Sequence, residues 1–146
     1  MKVIYVSSAL LKNEKNEYFL IARPEGKPRA GTFELPGGKV ENGETPEHAM
    51  VRELREELGI SVREEDMIPV TFLSYAYEEC HVVLFFYEIK TWQGEISFLE
   101  GQPEAVWINI KDFPKHPISE ADVILFKRLE KHLAVQTLGI EAQTFA

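Results

Sequence analysis

The stretch from Gly37 to Ile60 restricts this chain more than any other. It reads Gly37-Gly38, five residues, Glu44, seven residues, Arg52-Glu53-Leu54, one residue, Glu56-Glu57, one residue, Gly59-Ile60. Thr45 can cap a helix, Pro46 suits the first helical position because an N–H there has no partner to lose, and Gly59 suits a left-handed stop. The spacing therefore predicts a helix over 45–58. At about 100° per residue, Glu53, Glu56 and Glu57 share an arc of roughly 100°, and Met50, Val51, Leu54 and Leu58 fill the adjoining arc. One face must find an apolar surface. The other gathers like charges at i, i+3 and i+4, each pair costing an isolated helix about 0.2–0.5 kcal/mol, so a cation is expected against it. Carboxylate oxygens suit Mg²⁺ or Mn²⁺, and the sequence has no Cys/His cluster of the kind zinc prefers. Arg52, one turn before Glu56, is placed to orient that carboxylate.

Around this segment the chain reads as strands. Residues 3–11 and 18–22 are rich in apolar and β-branched side chains and flank the polar run Lys12-Asn13-Glu14-Lys15-Asn16, which predicts a hairpin. The Pro-, Gly- and cation-rich stretch 23–31 predicts an exposed loop, 32–35 a short strand, and Pro36-Gly37-Gly38 a tight turn close to a ligand. Residues 67–76 and 82–89 predict two antiparallel strands, and 105–108 a further one. Ser119 is expected to cap an amphipathic helix to about His132, with Trp107 and Phe126 in the core and an ambiguous tail after about residue 134. A mixed β-sheet sandwiched between two helices, an α/β (α+β) architecture, is the simplest arrangement. At 146 residues, with no linker or repeat, residues 1–146 read as a single domain.

Composition narrows the function. A net charge of -8 argues against polymeric nucleic acid, which calls for a basic stripe. It leaves room for a small phosphate compound screened by divalent cations. No apolar run approaches the about 20 residues of a membrane span, and the short N-terminal apolar run reads as a strand rather than a signal. The one cysteine, Cys80, is compatible with a reducing cytoplasm; with His81 it reads as structural.

At every defined position of 38–60 the pattern resembles the Nudix box. A bare run of glutamates is usually a solvated face, but the glycines, Arg52 and the spacing point to chemistry. The resemblance extends over about residues 9–129, and Glu34-Leu35-Pro36-Gly37-Gly38-Lys39 and Glu100-Gly101-Gln102-Pro103 are similar to the MutT-like branch, which acts on 8-oxo-dGTP. It implies catalytic roles for Arg52, Glu53, Glu56, Glu44 and Glu100, and metal ligation by Gly37, Glu53, Glu56, Glu57 and Glu100. It further implies substrate contacts from Arg23 and Lys39 to phosphate, from Leu35, which stands where an aromatic is common, and from Asp122 to the purine edge. An acid at 122 accepts from a purine N–H, or donates when protonated.

The expected reaction is Mg²⁺-dependent hydrolysis of oxidised purine nucleoside triphosphates to monophosphate and pyrophosphate, by a monomer or homodimer. Two alternatives stand beside it. One is the same chemistry on ADP-ribose or another nucleoside diphosphate derivative; the other is a catalytically silent nucleotide-sensing module, which the intact glutamates disfavour.

Overall fold

In the computed structural model of the protein the backbone is described for residues 1–145 and the side chains for residues 1–133. The elements, in chain order, are β1 (Lys2–Leu11), β2 (Tyr18–Ala22), β3 (Phe33–Glu34), β4 (Gly37–Lys39), α1 (Pro46–Leu58), β5 (Met67–Ala76), β6 (Cys80–Ile89), β7 (Ala105–Ile108) and α2 (Glu120–Phe145). β1 and β6 pair in parallel at the centre of a four-stranded mixed sheet ordered β4-β1-β6-β5. A second, antiparallel sheet is ordered β3-β2-β7.

Alternation along β1 and β2 builds two cores. Ala9, Leu11, Phe19 and Ile21 pack with Met50, Leu54 and Leu58 of α1. Leu10, Tyr18, Leu20 and Ala22 pack with Leu125 and Phe126 of α2. Each buried Leu in such a layer is worth about 2–5 kcal/mol against truncation to Ala. The strands are thus sandwiched by two helices, as expected, with Phe126 fully buried and Trp107 packed at the edge of the α1 core. Among the described residues no helix is long and apolar enough to cross a membrane.

Several expectations are corrected. β1 and β2 are not a hairpin: the chain turns back tightly, with a single bridge at Lys12 and Tyr18, but the two strands enter different sheets. All five residues of β2 are buried, so both its faces need cover, which one sheet with a solvated side could not supply. Pro36-Gly37-Gly38 is not a turn, since both glycines lie in β4, paired with Ser8 and Ser7. The mixed sheet is accompanied by a second, three-stranded one. β6 starts two residues earlier than expected, at Cys80, and α2 continues to Phe145; the side chains of the tail from residue 134 lie outside the described residues. Ser119 precedes α2, but its hydroxyl donates to Asp122 (2.8 Å) rather than accepting a helix N–H.

Candidate active site

Helix α1 is set by its ends. Thr45 Oγ1 accepts the His48 N–H at 3.1 Å, Pro46 occupies the first turn, and Gly59 closes the helix at φ 71°, donating its N–H to Arg55. With Met50, Leu54 and Leu58 buried, the acidic face turns toward β4. The close approach explains the glycine pair. A Cβ on Gly38 would stand 2.5 and 2.6 Å from the two Glu53 carboxylate oxygens, and one on Gly37, at φ 149°, would overlap the Ser7 carbonyl.

Arg52 organises the nearer carboxylates. Its Nε and Nη2 donate to Glu44 at 2.7 and 2.9 Å, Nη1 donates to Glu53 at 2.8 Å and to Glu56 at 3.2 Å, and Nη2 also reaches the Lys39 carbonyl at 3.0 Å. Hydrogen bonding to Arg52 holds the Glu44 carboxyl down at about 2, and the same carboxylates raise the guanidinium's own affinity for its proton. Burial raises Glu53, against the pull of Arg52 and with the push of Glu56 and Glu100.

Glu57 sits deeper, with only 8% of its surface exposed. Its Oε2 accepts the Gly37 N–H at 3.2 Å. Burial, followed by repulsion from Glu100, Glu34 and Glu53, pushes its carboxyl up to about 8. Glu100 is brought here by the loop 97–102, which wraps the end of α1. Ser97 and Leu99 donate backbone N–H groups to Leu58 and Glu57, Gln102 Nε2 reaches the Glu57 carbonyl at 3.3 Å, and Gln102 Oε1 accepts the Glu100 N–H at 2.9 Å. Gln102 is a positioning residue that the sequence reading quoted but gave no role.

Among the described residues no three or more His, Cys, Asp or Glu are grouped closely enough to hold a metal ion, and Glu53 and Glu56 are both bonded to Arg52. The donors nevertheless suit a hard divalent ion. They are all oxygens, two are pushed up by burial and mutual repulsion, and a cation between them would relieve both costs.

Two clefts flank this cluster. One, about 390 Å³, is lined by Arg23, Lys27, Glu34, Glu57, Glu100 and Gln102 among others. The other, about 360 Å³, is lined by Leu35, Lys39, Tyr77, Cys80, Leu84 and Asp122 among others. Arg23 and Glu34 line both and are joined, Nη1 lying 3.2 and 3.3 Å from the two carboxylate oxygens, while Arg23 Nε donates to the Pro28 carbonyl at 2.8 Å. Burial raises the Glu34 carboxyl, with Arg23 opposing. Asp122, 4% exposed, takes the Leu35 N–H (3.0 Å) and the Ser119 hydroxyl (2.8 Å) on one oxygen, and burial pushes it up to about 6.

The structure thus groups Glu44, Arg52, Glu53 and Glu56 on one side, Glu57, Glu100 and Arg23 in the first cleft, and Leu35, Lys39 and Asp122 in the second. Glu44, Arg52, Glu53 and Glu56 line neither cleft, whereas Gly37 lines the second. Sequence reasoning missed Arg29, Tyr77 and Cys80 as cleft residues. The Arg29 guanidinium lies over the Tyr77 ring at 5.5 Å, and Tyr77 packs on Tyr75, whose hydroxyl bonds Glu120. The available signal was the aromatic pair Tyr75 and Tyr77 at the end of β5.

Comparison with known proteins identifies the family. The model of the NUDIX domain matches residues 2–129. The 8-oxo-dGTP diphosphatase of Escherichia coli K12 is 38% identical over 133 residues, covering 88% of this chain and all of the relative. The ADP-ribose pyrophosphatase of Methanocaldococcus jannaschii is 30% identical over 111 residues, 76% of this chain and 66% of the relative. A solved MutT structure, from work on Aliivibrio salmonicida and Vibrio cholerae, superimposes with a TM-score of 0.71 at 32% identity, covering 87% of this chain and 96% of that one.

Proposed function

The chain belongs to the NUDIX family, and from that premise we propose that it hydrolyses purine nucleoside triphosphates, 8-oxo-dGTP among them, to the monophosphate and pyrophosphate. The observation that carries the reading is the pair of clefts that share Arg23 and Glu34. One holds carboxylates suited to a cation-bound phosphate chain, and the other holds Asp122 and apolar walls suited to a base.

We place Mg²⁺, with Mn²⁺ as substitute, on the carboxylates of Glu53, Glu56, Glu57 and Glu100 and the Gly37 carbonyl. Such an ion supplies neutralisation of phosphate charge and a more acidic attacking water. The chain's own residues do the rest. Arg52 fixes Glu44, Glu53 and Glu56 in place. Water oxygen bonds to phosphorus, the anhydride P–O bond breaks toward the leaving phosphate, and the water's proton passes to a carboxylate of the Glu44, Glu53, Glu56 and Glu100 group. Arg23 and Lys39 bind phosphate oxygens. Leu35 packs against the base, and Asp122 meets its edge with the oxygen not used by Leu35 and Ser119. Ionised, Asp122 accepts a purine N–H; below about pH 6 it donates. Residues 1–146 are read as one domain.

The test is a substrate panel with purified protein and Mg²⁺: 8-oxo-dGTP, dGTP, CTP and ADP-ribose. Pyrophosphate release fastest from 8-oxo-dGTP supports the reading, and no pyrophosphate from any triphosphate refutes it. Turnover of ADP-ribose above all others would favour the second reading, which the Methanocaldococcus jannaschii relative supports.

A further inference from the structure

We propose that Lys27, which lies outside the box and outside the residues assigned above, binds the outer phosphate of the chain and so sets a preference for triphosphates over diphosphates. The inference rests on the hydrolase reading and deepens it. Lys27 lines the cleft that also holds Glu57 and Glu100. Two cations face that cleft, and they are not equivalent. Arg23 is already engaged twice by Glu34 and once by the Pro28 carbonyl. Lys27 pairs with no carboxylate among the described residues. A phosphate entering beside Glu57 and Glu100 therefore finds one guanidinium already shared with Glu34 and one ammonium paired with no carboxylate.

The loop that carries Lys27 is held in place rather than loose. Gly26 at φ 83° and the Lys27 N–H to the Pro24 carbonyl (3.4 Å) make a tight turn. Arg23 and Thr32 close its base, the Arg23 N–H donating to Thr32 at 3.0 Å and the Gly31 N–H to the Arg23 carbonyl at 3.2 Å. Arg29, at the far end of the same loop, lies over Tyr77 beside the other cleft. One ordered loop thus carries a cation to each cleft. With the base in the Asp122 cleft, the phosphates run past Arg23 toward Glu57, and the outermost γ-phosphate lies under Lys27. A diphosphate has no group there.

Lys27→Gln and Lys27→Arg test this with dGTP and dGDP as paired substrates and with Mg²⁺-pyrophosphate and dGMP as calorimetric ligands. Lys27→Gln is expected to raise KM for dGTP and Kd for pyrophosphate about tenfold, leaving kcat, KM for dGDP and Kd for dGMP within twofold; Lys27→Arg restores most of the loss. A dGTP KM and pyrophosphate Kd both within twofold of wild type would make Lys27 a solvated surface lysine and overturn the proposal. So would an equal loss for dGTP, dGDP and dGMP, which marks a disturbed loop. If the wild-type protein turns over no triphosphate, the hydrolase reading fails by itself, and pyrophosphate affinity in the two variants still decides Lys27.

Discussion

Replacing Gly38 with alanine separates the site from the fold. The added methyl would stand 2.3 Å from the Glu53 carboxyl carbon and 2.5 and 2.6 Å from its oxygens, where ordinary contact begins at 3.4 Å, so the carboxylate must retreat by about 1.1 Å. It can do so, because it is the end of a flexible side chain. The backbone at Gly38 is not in the left-handed region, so alanine adds no strain there. The retreat breaks the 2.8 Å contact with Arg52, a partly exposed pair worth at most about 1 kcal/mol. Lower chain entropy in the unfolded state returns about 0.5 kcal/mol.

Stability should therefore change by less than about 1 kcal/mol, a melting shift of roughly 2–4 °C. Activity has no such relief. A displacement near 1 Å of a group that must hold a cation or a water costs on the order of 100-fold in rate, about 2.7 kcal/mol of barrier. The assay is pyrophosphate release from 8-oxo-dGTP at saturating Mg²⁺, with calorimetric melting of the same sample. A Gly38→Ala protein within threefold of wild-type kcat would refute the role given to Glu53. A drop in Tm above about 10 °C would refute the claim that the clash is confined to a side chain.

The neighbouring substitution behaves oppositely. Gly37→Ala meets the Ser7 backbone carbonyl at a φ of 149°, so β4 must part from β1 at a cost of about 3 kcal/mol or more, read as a Tm lowered by roughly 6–12 °C. Glu57 carries a folded carboxyl pushed to about 8 against an ordinary 4.5, so its protonated form favours the fold and that stability is lost as pH rises through 8. Without metal, Glu57→Gln should equal wild type near pH 4 and exceed it by on the order of 2–4 kcal/mol at pH 9, and added Mg²⁺ should raise its Tm less than that of wild type; equal metal responses would remove Glu57 from the cation site. Asp122, at about 6 against 3.8, loses stability across pH 4 to 6 by the same sign. Asp122→Asn should flatten urea-unfolding stability in that window, the difference between the two proteins changing by up to about 3 kcal/mol. A parallel pair of curves would show that the acid is not held protonated by the fold.

What the sequence disclosed follows the range of the interactions involved. Helix α1 was legible to its caps, because Thr45, Pro46 and Gly59 act on their own turns and the 3.6-residue period sorts Glu53, Glu56 and Glu57 from Leu54 and Leu58. The reach of Arg52 to Glu56 was legible for the same reason, whereas its bonds to Glu44 and the Lys39 carbonyl needed the fold of the preceding loop. The run Tyr18-Phe19-Leu20-Ile21-Ala22 carries no alternation of polar with apolar residues, so nothing in it distinguishes a hairpin partner from a strand buried on both faces in another sheet. Gly37 and Gly38 show the limit most clearly. A glycine required by a turn and one required by a neighbour's approach look alike in a sequence, and the neighbours here are Ser7 and Glu53, thirty and fifteen positions away. The second cleft is longer-ranged still. Leu35 donates its N–H to Asp122 across 87 positions, and that bond, which no local pattern encodes, takes up one of the oxygens through which Asp122 can meet a base. Substitution at Leu35 will therefore be felt at Asp122 through the backbone of β3 and its following residue as well as through the cleft wall. Double substitution at the two positions should be non-additive in base preference, and additive effects would show the bond to be irrelevant to recognition.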